Sequence, residues 1–450
     1  MKKGKYWSFL IVLVILSLLS ACSSNGGPST APKAEPSPSP AANAPTPSNE
    51  PAEVVFYSNN GDPVESFDLR FGNMLRKKFP NYTIKYIMKG PGTNLPELIA
   101  SGTRFDIFFQ TIGNFENYAF GSDIQFDMSD LVSKHQVDLS RIEPTIVEAV
   151  KQASGGKLYA LPIYNNNLVL YYNKSLFDKF GVEYPKDGMT WDQIADLSKR
   201  LTRVDGGTQY VGFAQSPAHS VRMMQLSVPS ADLKTDTPTI NSDDRWKRFF
   251  QTVFLDPVQD SNLLNMMKTT NKAPIIDDFV KAKNIAMINY VSSLATVWEE
   301  QFKSMEWDMV SMPTFKELPG VGSQAYPSYF GITKMAKQKD AAMEVLKYML
   351  SDEFQTELAR IGTMPVLKSE AVQKELGKKS VFKDKNWRSV FYNKFAAIPP
   401  KASYEADIAG IYASYGTKIQ IGSVDMNTGL RQADEDAKKR IADLNAAKKK

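Results

Sequence analysis

One cysteine, Cys22, stands in this chain of 450 residues. No intrachain disulfide can form, so any fold must be held together by packing alone. The length permits that: a body of about 400 residues exceeds one ordinary core and implies two domains. Aromatic residues make up 11% of the chain, with 19 Tyr, 25 Phe and 6 Trp, enough to fill two cores and still line a cleft.

Cys22 also closes a short apolar run. Lys2, Lys3 and Lys5 form a basic start, and Trp7 to Leu19 is apolar apart from Ser8 and Ser17. That run falls short of the roughly 20 residues needed to span a bilayer, so residues 1–21 are predicted to be a cleavable export signal. Leu19-Ser20-Ala21-Cys22 resembles a bacterial lipobox, in which the cysteine thiol is lipidated and becomes the first mature residue. The alternative is a plain secretory signal with an incidental cysteine. A lone exported thiol is open to oxidation, whereas a thioether to lipid is not. Removing the signal takes the formal net charge from +5 to +2, and three of the remaining cations are the terminal Lys448, Lys449 and Lys450. The body is close to neutral and lacks the dense basic face of a nucleic-acid binder. Residues 22–52, with Pro36, Pro38, Pro40, Pro45, Pro47 and Pro51 among Ala, Ser and Asn, read as a disordered tether. Such reach suits a wall between membrane and solute, hence a Gram-positive cell.

Strands and helices then alternate. Val54–Tyr57 is an apolar strand followed by the polar turn Ser58-Asn59-Asn60-Gly61. Asp62-Pro63-Val64-Glu65 is expected to open a helix, Asp62 capping it and Pro63 in its first turn. Val64, Phe67, Phe71, Leu75 and Phe79 recur at helical spacing as one buried face. Strands at 83–87 and 105–109 and a helix at 95–101 complete a doubly wound α/β pattern. Ligands sit beyond the carboxyl ends of strands in such sheets, which puts Ser58, Asn59, Asn60, Gln110 and Thr111 at a cleft rim. A second unit begins near Gly156 with an expected hairpin into Ile163–Asn167. Thr190-Trp191-Asp192-Gln193 is a capping box, with Trp191 read as a core residue. Ala342, Val345, Leu346, Met349 and Leu350 form one apolar stripe, Ser351 caps the next helix, and Gly362 stops it. Leu430, Ala433, Ala437, Ile441 and Leu444 mark a last amphipathic helix. His135 and His219, the two histidines, have no flanking ligand spacing, so neither a metal nor another cofactor is expected.

Gly156-Lys-Leu-Tyr-Ala-Leu-Pro162, Leu170-Tyr-Tyr-Asn-Lys-Ser-Leu-Phe177 and Thr190-Trp191-Asp192 together resemble the solute-binding lipoproteins of bacterial ABC importers. The resemblance is to the sugar and oligosaccharide branch, the maltose-binding protein family. Asn284 to Asn289 resembles its strand before the cleft, and Trp307 to Pro313 its return strand. Asp340 to Pro365 resembles its paired helices. The resemblance implies a two-lobed, periplasmic-binding-protein-like α/β fold with a hinge and a central ligand cleft. It divides the chain into a first lobe at 53–160, a second at 161–306, a return at 307–335, and C-terminal helices of the second lobe at 336–450. It also implies a monomer that binds without chemistry and delivers its solute to the transmembrane subunits of a permease.

Sugars present hydroxyl edges and apolar faces, so their sites need aromatic plates beside amides and carboxylates. The candidates in the first lobe are Tyr57, Asn59, Asn60, Asp62, Gln110 and Thr111. The second adds Tyr164, Asn165, Gln215, Tyr290 and Trp298, and Tyr326, Tyr329 and Met364 follow from later segments. The alternatives are a binder of peptides or polyamines, and an exported enzyme acting on glycans. A polyamine cleft would be rich in carboxylates, and among these candidates only Asp62 is charged.

Overall fold

The computed structural model describes residues 50–153 and 155–448. The export signal, Cys22 and nearly all of the expected tether lie outside the described residues. Among the described residues no helix is long and apolar enough to cross a membrane.

Two sheets organise the body. The strands that form them are β1 (Ala52–Ser58), β2 (Tyr82–Met88), β3 (Ile107–Thr111), β4 (Leu161–Asn165), β5 (Leu168–Asn173), β6 (Arg203–Asp205), β7 (Thr208–Gln215), β8 (Ile285–Val291), β9 (Trp307–Ser311), β10 (Ser328–Ile332) and β11 (Met364–Pro365). The first sheet runs β11-β4-β10-β3-β1-β2 and the second β9-β5-β8-β7-β6. In the first, β1 lies parallel to β2 and β3, and β10 enters antiparallel between β3 and β4. In the second, β8 is parallel to β7 and antiparallel to β5. Gly206 and Gly207, both at positive φ, make the tight turn that joins β6 to β7.

Helix α1 (64–78) buries Phe67, Phe71 and Leu75 against the first sheet. A π turn over Asp68–Gly72 keeps those four-residue steps on one face, and Val64, three residues ahead of Phe67, falls off it and is exposed. Pro63 takes the cap position, and Asp62 does not cap but pairs with Arg70. Beyond β3 lies α2 (Asn114–Gly121), and beyond β7 lies α3 (Pro217–Arg222). The capping box is as expected: Gln193 N–H donates to Thr190 Oγ1 at 3.4 Å, and Thr190 N–H to Gln193 Oε1 at 2.8 Å. Trp191 is buried, its Nε1 donating to Gln225 Oε1 at 2.9 Å. Helices α4 (Lys339–Met349) and α5 (Asp352–Arg360) follow, the second capped by Ser351. Helices α6 (Glu405–Gln420) and α7 (Met426–Lys448) end the chain and pack on each other.

Strand partners divide the chain differently from the expected bounds. Gly155–Asn167 is no hairpin, because β4 joins the first sheet and β5, two residues later, joins the second. Trp307–Ser311 is an edge strand of the second sheet, and the return to the first is β10. Helix α4 packs on β1, β4 and β10, so it belongs to the first lobe. The two strands are buried on both faces and the helix along one apolar stripe, and such apolar surface does not specify which sheet receives it.

The chain passes between the sheets at Asn166-Asn167 and Ala325–Pro327, two crossovers that hold each other: Tyr326 N–H donates to Asn166 O at 2.8 Å. Asn167 is fixed by Nδ2–H to Val390 O at 2.7 Å and by Ser292 N–H to its carbonyl at 2.8 Å. A third passage lies between Lys379, whose N–H reaches Arg360 O, and Asn386, whose N–H reaches Asp308 Oδ1, each at 2.8 Å.

Candidate functional site

The carboxyl ends of β1, β3 and β4 converge on one rim of the crossovers, and those of β7 and β8 on the other. From β1, Ser58 is buried and its Oγ accepts from Asn60 N–H at 3.2 Å, fixing the Asn59-Asn60 turn. Gln110 from β3 braces the same turn. Its NH2 faces Asn60 Oδ1 at 2.8 Å and its oxygen faces the Asn59 and Asn60 N–H groups at 3.2 Å. Thr111 lies one residue further, its hydroxyl donating to Tyr326 Oη and accepting from Asn114 Nδ2, both at 3.2 Å.

Asp62 and Arg70 form an ion pair at 2.8 Å beside this turn, with the guanidinium 5.8 Å from the Tyr164 ring. Tyr164 is packed on Phe71 and Phe330. Asn165 is buried with no partner for Oδ1, and Ser328, in register with Tyr164 and Thr111, has none for Oγ. Met364 pairs with Asn165 in the sheet and is itself buried.

From the other rim, Gln215 and Asn289 are register partners in β7 and β8 and are both buried. Gln215 Nε2 donates to Val253 O at 3.2 Å, while its oxygen and both polar atoms of the Asn289 amide lack partners. Ser216 Oγ lies 2.7 Å from His219 Nδ1, and the His219 ring sits 5.1 Å from Tyr290 and 6.2 Å from Tyr326. Burial, reinforced by the Arg222 charge, pushes the His219 pKa down to about 4, so the ring is neutral. Arg222 Nη1 donates to Tyr326 Oη at 3.3 Å.

Asn59, Asn60, Gln110, Thr111, Tyr164, Asn165, Gln215, Tyr290 and Tyr326 therefore come together around the crossovers. Several expectations change. Tyr57 is a core residue between Phe105 and Phe108, only its hydroxyl reaching Asn59 Oδ1 at 3.2 Å, and burial pushes its pKa up to about 12. Tyr329 is also core, with its hydroxyl donating to Ile146 O at 2.8 Å. In strands buried on both faces, alternation cannot say which ring looks outward. Asp62 is neutralised by Arg70, and the contacts of Trp298 join it to Lys281, whose ammonium is 5.7 Å from the ring, rather than to this cluster. Sequence reasoning left Arg222, Asn289 and Ser328 out of the site. For Asn289 a signal existed, since an amide closing the apolar run Ile285–Ile288 needs a polar partner. Among the described residues no group of three His, Cys, Asp or Glu side chains could hold a metal.

Residues 66–356, well over half of the chain, match the family model described as bacterial extracellular solute-binding protein. The mannitol-binding protein of Pseudomonas aeruginosa is 27% identical over 159 residues, 34% of this chain and 34% of that protein. The arabinooligosaccharide-binding protein of Bacillus subtilis is 29% identical over 161 residues, 34% of this chain and 36% of the relative. These alignments thus span about a third of the length of the curated relatives. Among solved structures, an ABC substrate-binding protein from Listeria monocytogenes in complex with cycloalternan superposes with a TM-score of 0.66 at 19% identity, covering 87% of this chain and 100% of the other. A sugar-binding protein from Xanthomonas citri superposes with a TM-score of 0.65 at 14% identity, covering 88% and 99%. At such identities the superpositions establish the two-lobed α/β fold. With that fold, this cleft and the family match over residues 66–356, the chain belongs to the bacterial extracellular solute-binding proteins.

Proposed function

We propose that the chain captures a sugar or oligosaccharide between its lobes and hands it to the transmembrane subunits of an ABC importer, leaving the solute chemically unchanged. The observation that carries this reading is the set of buried polar side chains around the crossovers that each leave at least one hydrogen-bonding atom without a protein partner: Asn165 Oδ1, Gln215 Oε1, Asn289 Oδ1 and Nδ2, and Ser328 Oγ. Unmet amide and hydroxyl groups are costly in a dry site, and a ligand with many hydroxyls satisfies them as donor and acceptor at once. Tyr290 and Tyr326 supply apolar plates for the C–H faces of a sugar ring. Relatives that bind mannitol and arabinooligosaccharide support the same chemistry. Because these groups come from both lobes, ligand contacts are complete only when the lobes close, so binding shifts the population towards closure.

Lipidation of Cys22, anchoring on the outer face of a Gram-positive cell, and a monomeric state complete the proposal, the first two supported by the lipobox-like Leu19–Cys22 and the proline-rich stretch behind it. Mass spectrometry of the exported N-terminus tests the anchor: an unmodified cysteine thiol there overturns it. The function is tested by a thermal-shift screen of the full chain against neutral oligosaccharides, amino sugars, peptides and polyamines. A ligand at 100 times its Kd stabilises by about 2.7 kcal/mol. A shift with one saccharide class, recovered intact, is expected. Shifts only with peptides or polyamines overturn the sugar reading, and cleavage of the saccharide overturns the binding-only reading.

A further inference from the structure

Two of the cations beside the cleft have counter-charges. Arg70 is paired with Asp62 at 2.8 Å, and Lys401 with Glu405 at 2.9 Å in an almost fully buried pair. Glu116, also buried, accepts from Gly113 N–H at 2.6 Å. Arg222, half-buried at the end of α3, makes no ion pair among the described residues. Its Nη1 reaches only the neutral Tyr326 hydroxyl at 3.3 Å, and its Nε is buried without a partner. A guanidinium withdrawn from water without a counter-charge is unfavourable, and its planar fork matches a carboxylate or phosphate.

The acid that lines the same cavity as Arg222, Glu405, is already engaged, paired with Lys401 and accepting from Ser230 Oγ. Tyr326 Oη already accepts from both Thr111 and Arg222, which leaves its own proton available to an incoming acceptor. Asn114 and Thr111 stand on the facing lobe, Lys401 and Glu405 cancel each other, and the neutral His219 ring lies on the near side.

Resting on the reading of this cleft as a saccharide site, we propose that Arg222 selects a saccharide bearing an oxyanion substituent, the carboxylate of a uronic acid residue or a phosphate ester, by pairing with it as the lobes close. The ligand would then carry into the cleft the one negative charge that the chain does not provide.

Isothermal titration calorimetry on the full chain tests this with three probe sets: neutral oligosaccharides of arabinose, mannose and glucose; oligogalacturonides and aldobiouronic acids; and hexose phosphates. An acidic probe is expected to bind at least about tenfold more tightly than its neutral counterpart, with an affinity that falls as salt rises. In Arg222→Gln the ratio of acidic to neutral affinity is expected to collapse by about tenfold or more, and Arg222→Lys to retain part of it. The ratio is read within each variant, so a general loss of stability does not imitate the effect. Preference for uronides identifies a carboxylate, and preference for hexose phosphates a phosphate ester. Tightest binding of neutral saccharides, or a ratio unmoved in Arg222→Gln, overturns the role of Arg222 and leaves the sugar reading standing. Failure of every saccharide, acidic or neutral, overturns both.

Discussion

Glu116, the third residue of α2, turns its carboxylate back onto the N–H of Gly113, the residue that precedes the helix. The positive end of the helix favours the ionised form, yet burial dominates: the second oxygen has no partner, and the pKa rises to about 7 from an ordinary 4.5. The folded chain therefore holds a proton that the unfolded chain releases between pH 4.5 and 7, so this group's cost is absent below that window and grows as pH rises through it. Fully developed, the cost is about 3 kcal/mol. His219 acts in the opposite sense, its depressed pKa withdrawing stability as pH falls from 6.5 towards 4. Glu116→Gln keeps the acceptor for Gly113, removes the titration and leaves His219 untouched. Urea unfolding of the two proteins is expected to show the variant gaining about 2–3 kcal/mol on wild type between pH 5 and pH 8; a difference independent of pH overturns the assignment. Sequence alone could not single out Glu116 among 49 acids, because its defining property is its surroundings. The same limit applies to the site. Asn59, Asn60 and Thr111 follow from strand ends, whereas Arg222 acquires its meaning only from its lack of an ion pair among the described residues.

Two glycines show what elements ask of a position that has no side chain. Gly331 lies in β10, the return strand between β3 and β4, where an added Cβ would stand 2.4 Å from Tyr159 O and 2.8 Å from the Phe115 ring. Gly410 lies inside α6 with open space around it. Gly331→Ala must push apart backbone and a buried ring, and is expected to cost about 1–3 kcal/mol. Gly410→Ala is expected to stabilise by about 0.5–1 kcal/mol through helix propensity. Thermal or urea midpoints moving in opposite directions would bear this out, and equal shifts would not. Elements with internal signals were legible in the sequence, namely the Thr190–Gln193 box and the stripe of Ala342, Val345, Leu346 and Met349, and the strand around Ile285–Asn289 was legible through its family resemblance. Their sheet membership was not. Leu161–Asn165, Trp307–Ser311 and the 339–349 helix present apolar surface that either sheet could accept, and only pairing across long separations decides between them.

At the scale of the molecule, the lobes touch where α6 approaches α2. A cavity of about 10 Å³, room for roughly one water, remains between Ile112, Gly113 and Asn114 on one side and Arg222, Lys401, Glu405 and Ala406 on the other, with Tyr326 also lining it. Nothing as large as an indole fits there, so Ala406→Trp should act as a wedge that penalises this approach while standing on the outer turn of α6. A binding protein whose competent state is the closed one loses apparent affinity in proportion to the population of that state. If the wedge disfavours contact by about 1.4 kcal/mol, every ligand should weaken by about tenfold, whatever its charge. Small-angle scattering should then give a larger radius of gyration for the ligand-free variant than for wild type, and saturating ligand should narrow the gap. This signature differs from that of Arg222→Gln, which alters the ranking of ligands. A wedge variant that folds, as judged by circular dichroism, yet binds as wild type does would show that the α2–α6 contact is no part of the ligand-competent state. The hinge at Asn166-Asn167 and Ala325–Pro327 would then have to close the lobes along a different path.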